Sequence, residues 1–249
     1  MNDRLGNGAL AGLLVLTLIL VGFSLRTREP GSAATERSAS VAAPTTGKAS
    51  PSPTPSTPEG PVVFLGDSMA EGKSASAPAK RWTALVADEL GQKEVDLGHA
   101  RTGYVRVGPK DSCGDEACPN FEGIVSQVVK AKPSTVIVTG GGNDSGLPAK
   151  EFSKAVSDTL TALKKALPDA EIFVVNPWWD LRPVPDSLAA QTSAVKAAAA
   201  DAKVTYLDTG QPLVGKPELM VADGTNPNDA GHAVLAKAVT QAMAVSANG

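Results

Sequence analysis

From residue 61 onward, short apolar runs alternate with longer segments of helical character, and this alternation limits the fold more than any other feature. The runs are Val62–Gly66, Glu94–Leu97, Thr135–Thr139, Glu171–Val175 and Val204–Leu207. Brief apolar stretches rich in β-branched residues, bounded by Gly, Pro or Asn, read as buried strands. Between them lie Arg81–Leu90, closed by Gly91, then Phe121–Ala131, stopped by Pro133, Pro148–Leu167, and the alanine-rich Pro185–Ala202. Asp229–Val245 closes the chain, with Asn228 or Asp229 as its N-cap. In Pro148–Leu167, Phe152, Val156, Leu160 and Leu163 share one face. Strands alternating with helices predict an α/β fold: a three-layer α/β/α domain over 61–249 with a mainly parallel five-stranded sheet.

What precedes residue 61 has a different composition. Gly8–Leu25 is almost wholly apolar, with Arg4 before it and Arg26 and Arg28 after. At about 1.5 Å per residue it spans about 27 Å, near the hydrocarbon thickness of a bilayer. Residues 1–26 therefore read as a transmembrane anchor. A cleaved signal sequence, with Ser32-Ala33-Ala34 as its processing site, is the alternative. Residues 27–60 are rich in Pro, Ser, Thr and Ala and culminate in Ser50-Pro51-Ser52-Pro53-Thr54-Pro55. That composition predicts a disordered linker with a reach on the order of 100 Å. The expected location is the cell membrane, single-pass, with the domain outside the cytoplasm, or secretion if the leader is cleaved. Cys113 and Cys118 suit a small disulfide-closed loop in such a compartment, two unlinked thiols being the other possibility. The net charge of −3 gives no basis for nucleic-acid binding, and no cluster calls for a metal or cofactor.

The carboxyl ends of the strands carry the chemistry. Open parallel sheets place ligands at that edge. The first strand runs into Gly66-Asp67-Ser68, where a tight turn would present a serine beside helix N–H groups, or simply cap a helix. The third runs into Gly141-Gly142-Asn143-Asp144. A late segment reads Asp223-Gly224-Thr225-Asn226-Pro227-Asn228-Asp229-Ala230-Gly231-His232.

In this order the blocks resemble the SGNH hydrolases, the GDSL esterase and lipase family, across essentially all of 61–249. The resemblance implies a flavodoxin-like strand order and acyl transfer through Ser68 as nucleophile. It also implies an oxyanion hole built from the Ser68 N–H, the Asn143 amide and an N–H from the loop after the second strand. That last position holds Arg101 where the family has glycine; any residue but proline keeps the N–H. Asp223 matches the family's acid. The base, a histidine three residues later and followed by proline, is replaced by Asn226, whose amide cannot accept a proton near neutral pH.

Two other histidines could substitute as base. His232 has the right spacing from Asp229 but falls in the closing helix. His99 follows the second strand and could approach Ser68. Each has an ordinary structural role as its alternative. Tyr104, Trp178, Trp179 and Arg182 are candidate substrate-binding residues at the same edge; the tryptophans would stack on a sugar or pack inward.

Two functions follow. One is an ester hydrolase or acyltransferase acting on an O-acylated envelope glycan or a small ester. The other is an impaired pseudo-hydrolase kept as a carbohydrate- or partner-binding module.

Overall fold

A computed structural model describes residues 59–248. The expected anchor at 1–26 and all but the last two residues of the expected linker lie outside the described residues. Within them no helix is long and apolar enough to cross a membrane.

The sheet contains β1 (Val62–Gly66), β2 (Glu94–Gly98), β3 (Thr135–Val138), β4 (Glu171–Val175) and β5 (Thr205–Leu207), all parallel in the order β2-β1-β3-β4-β5. This is the flavodoxin-like order. Its crossover places β1 and β3 side by side at the sheet's switch point, where a crevice opens beyond the carboxyl ends. Alternation along the strands sorts the side chains onto two faces. Val63, Leu65, Val136, Val138, Ile172 and Val174 face α2 (Phe121–Lys130), α3 (Ala149–Ala166) and α4 (Ser187–Ala202). Val62, Phe64, Ile137, Phe173 and Val175 face α1 (Trp82–Leu90) and α5 (Asp229–Ala247). Burial on both faces is why the central strands β1, β3 and β4 read as nearly continuous apolar runs.

Local signals set the helix ends. Gly91 takes the left-handed conformation (φ +64°) that closes α1. The Asn120 and Asn228 side chains accept from Gly123 and Gly231 N–H at 3.1 and 3.0 Å, capping α2 and α5. Boundaries move by one or two residues. Pro148 precedes α3, α4 starts at Ser187 instead of Pro185, and α5 continues to Ala247. β5 omits Val204, β3 stops before Thr139, and β2 extends to Gly98.

Candidate active site

Ser68 follows β1 through a turn that needs glycine at position 66. A Cβ there would lie 2.6 Å from the Ala70 Cβ and 2.7 Å from the Thr139 carbonyl. Beyond Ser68 the chain does not enter a helix, as the sequence had led us to expect. It winds through turns in which Asp67 and Ser68 carbonyls accept from Glu71 and Lys73 N–H. The donor beside the nucleophile comes instead from the loop after β2: Arg101 N–H reaches Ser68 Oγ at 3.1 Å. Arg101 has φ +65°, a conformation that favours glycine, which accounts for the residue the family carries there.

Asn143 stands across from this loop, in the short 3-10 turn Gly142–Asp144 after β3. Its Nδ2 donates to the Thr102 carbonyl at 2.9 Å. Since an amide nitrogen carries two protons, one further N–H is left for a ligand. The next residue, Asp144, is buried, and its carboxylate accepts from the N–H groups of Tyr104 (2.8 Å), Arg106 (3.0 Å) and Val105 (3.3 Å). Burial raises its pKa, and these N–H groups oppose the rise. Gly103 fits over the carboxylate closely enough that a Cβ would lie 2.4 Å from Oδ2.

Ser68, Arg101, Asn143, Asp223 and Asn226 line one cleft of about 540 Å³, together with Lys73, Trp178, Trp179, Asp180 and Arg182. Asp223 Oδ1 accepts from Thr225 and Asn226 N–H (2.7 and 3.0 Å), and Oδ2 accepts from Asn226 Nδ2 at 2.8 Å. The Thr225 N–H foremost, then the Asn226 amide, hold the carboxyl down to about 2. The Asn226 amide thus makes the bond to the acid that an imidazole N–H would make.

Neither histidine lines this cleft. His232 is fully buried; its Nδ1 accepts from Trp82 N–H (3.4 Å) and its Nε2 donates to the Lys73 carbonyl (3.2 Å). Both nitrogens are therefore engaged, and burial lowers its pKa. His99 turns its Nδ1 toward Cys113 Sγ at 3.8 Å. Cys113 and Cys118 form the expected disulfide. Together with His99 they bring three potential ligand atoms within 4.8 Å of one another, but both sulfurs are committed to the disulfide.

The substrate-binding residues need correction. Tyr104 is wholly buried, edge-on to Phe121 and Phe152, and does not reach the cleft. Trp178 and Trp179 border the cleft but are only 5% and 7% exposed. Trp178 packs edge-to-face on Trp82 and donates to Thr209 Oγ1 at 2.7 Å. Trp179 donates to the Arg182 carbonyl, and the Arg182 guanidinium covers its ring at 4.7 Å. Neither offers an open face for a sugar. Arg182 is on the rim, held by Asp180 at 2.6 Å.

Asp67, half-buried in the same cleft lining, accepts only the Met69 N–H (3.0 Å), and burial pushes its carboxyl up to about 6. A folded-state pKa above the ordinary 3.8 means the folded protein holds this proton more tightly than the unfolded chain. Stability contributed by the neutral form is complete near pH 4 and lost as pH rises through 6. Asp67→Asn, which keeps the acceptor and removes the charge, should therefore stabilise the domain by about 2 kcal/mol at pH 8 and change little at pH 4. Urea denaturation at the two pH values measures this, and equal differences at both would contradict the assignment.

A serine with an N–H donor from one loop and an amide from another, at the carboxyl edge of a flavodoxin-like sheet, defines a class of serine esterases and lipases. A model of the GDSL-like lipase/acylhydrolase family matches residues 64–234, and the chain belongs to that family. It is 28% identical over 187 residues to the GDSL lipase Rv0518 of Mycobacterium tuberculosis, covering 71% of this chain and 78% of that protein. Two solved structures share the fold. The psychrotrophic esterase EstA of a Pseudoalteromonas species has a TM-score of 0.59 at 14% identity, over 77% of this chain and all of that one. Est24, a carbohydrate acetylesterase of Sinorhizobium meliloti, has a TM-score of 0.57 at 19% identity with the same coverage.

Proposed function

We propose that this protein is an ester hydrolase or acyltransferase acting through Ser68, outside the cytoplasm and tethered by residues 1–26, on an O-acylated envelope glycan or a small ester. The observation that carries the reading is the Arg101 N–H directed at Ser68 Oγ from 3.1 Å, with the Asn143 amide in the same cleft. The glycan assignment draws on the likeness to Est24, and the location on the apolar leader and disulfide. Ser68 Oγ attacks the acyl carbonyl as its proton passes to water or hydroxide, and charge develops on the carbonyl oxygen. The N–H groups of Ser68 and Arg101 and the Asn143 amide receive it. Collapse expels the alcohol, and water or a second alcohol then takes the acyl group from Ser68.

Proton removal is the slow part. Asn226 cannot accept the Ser68 proton, and a carboxylate held at about 2 is a weak base. Sites of this design that lack one triad member retain about 10³–10⁴-fold acceleration over water. Asn226 also favours a second reading, in which the cleft binds a glycan or partner without turning it over.

The test is labelling with a fluorophosphonate and turnover of p-nitrophenyl acetate between pH 6 and 9, with Ser68→Ala as control. Slow labelling confined to Ser68, with turnover climbing toward pH 9, is the expected result. No labelling and no turnover at any pH would remove the hydrolase reading and leave the binding module.

A further inference from the structure

The charged groups around the cleft differ in how far their hydrogen-bonding capacity is used. Asp223 accepts three N–H bonds. Asp180 accepts the Arg182 backbone N–H and the Nε–Nη2 edge of its guanidinium. Asp67 is half-buried and takes the Met69 N–H. On the cationic side Arg182 is matched by Asp180, but Lys73 and Arg101 are matched by no carboxylate among the described residues. Both line the cleft with Ser68, both are exposed, and neither side chain enters an ion pair among the described residues. Formal charges in the cleft balance, so no strong field pulls anions from a distance. The Asp223 and Asp180 carboxylates are largely occupied and Asp67 takes a single N–H, while eight donor protons, three on Lys73 and five on Arg101, have no partner among the described residues. A neutral ester leaves these donors to water. An ester bearing a carboxylate or phosphate engages them, and Arg101 offers its planar fork from the same residue whose N–H faces Ser68 Oγ.

We infer that the ester accepted by this cleft carries an anionic group near its scissile carbonyl, received by Lys73 and Arg101. The inference rests on the acyl-transfer reading above and names its substrate class. Two matched pairs test it and separate the side of the ester that carries the charge. The first is 4-nitrophenyl hemisuccinate against 4-nitrophenyl butyrate (acyl side); the second is 4-acetoxybenzoate against phenyl acetate (alcohol side). In one pair the anionic ester should show about fivefold higher kcat/KM at low ionic strength, as expected for exposed charge pairs. That ratio should fall toward one in 0.5 M NaCl and in Lys73→Met, and invert in Lys73→Glu.

Ratios near one in both pairs, or a preference unchanged in Lys73→Glu, would overturn the inference. Binding of the same esters to Ser68→Ala protein, read by saturation-transfer NMR, keeps the two claims apart. Anion preference in binding without wild-type turnover would remove the hydrolase reading alone, and turnover without charge preference would remove this inference alone.

Discussion

Asn226→His is expected to raise kcat/KM on short aryl esters by about 10²–10⁴-fold, the usual contribution of a positioned general base. The geometry for the gain is already present. Asn226 lines the cleft that holds Ser68, and its Nδ2 donates to Asp223 Oδ2 at 2.8 Å. A histidine can place its Nδ1–H on the same oxygen, which fixes the ring and turns Nε2 toward the cleft as acceptor. A carboxylate held at about 2 remains ionised beside the imidazolium that forms. The variant should acquire a pH dependence with a rising limb near the ordinary histidine value of about 6.5, absent from the wild type. Steady-state kinetics between pH 5 and 9 measure both effects. A variant no faster than wild type would show that proton transfer is not what restrains Ser68.

Asp144→Ala is expected to give the largest loss of stability, about 3–5 kcal/mol. It removes the acceptor for three N–H groups on one loop and leaves them facing a void. The same loop holds Arg101 and Thr102, so the donor at Ser68 and the anchor of Asn143 should loosen with it. Asp144→Asn retains one acceptor oxygen and should fall about halfway. Urea denaturation reads the stability, and the rate of fluorophosphonate labelling at Ser68 reads the loop. Full labelling in a strongly destabilised Asp144→Ala protein would separate the clamp from the oxyanion hole.

The centre of the sheet was legible in the sequence because β1, β3 and β4 are buried on both faces and so appear as nearly unbroken apolar runs; the half-buried β2 and β5 carry polar residues and were legible from the turn residues and helices around them. The caps were legible for a similar local reason: Gly91 and Asn228 act on backbone groups within their own helix ends. The disulfide joins residues five apart. The cleft was legible as far as its residues sit in short blocks, after strands for Ser68 and Asn143 and just before α5 for Asp223 and Asn226. What escaped depends on contacts between distant segments. Tyr104 follows the second block as a cleft residue would, yet its ring fills the space between Phe121 and Phe152. Trp178 follows a strand at the ligand edge, but Trp82, nearly a hundred residues away, packs edge-to-face against it, while Trp179 is covered by Arg182 from its own loop. The clamp formed by Asp144 pairs one loop with the backbone of another some forty residues away, and N–H positions leave no trace in residue identity. Lys73 belongs to a stretch of turns with no periodicity to orient it.

Arg101 keeps a left-handed backbone with a long branched cation attached, a combination that holds about 1 kcal/mol of tension which glycine would release. The release would come at the peptide that faces the nucleophile, and it would strip the rim of its guanidinium. On the proposed role of its side chain, robustness and molecular discrimination are therefore opposed at a single position, and a search for sturdier variants of this domain would tend to erase a cation from the rim of its cleft.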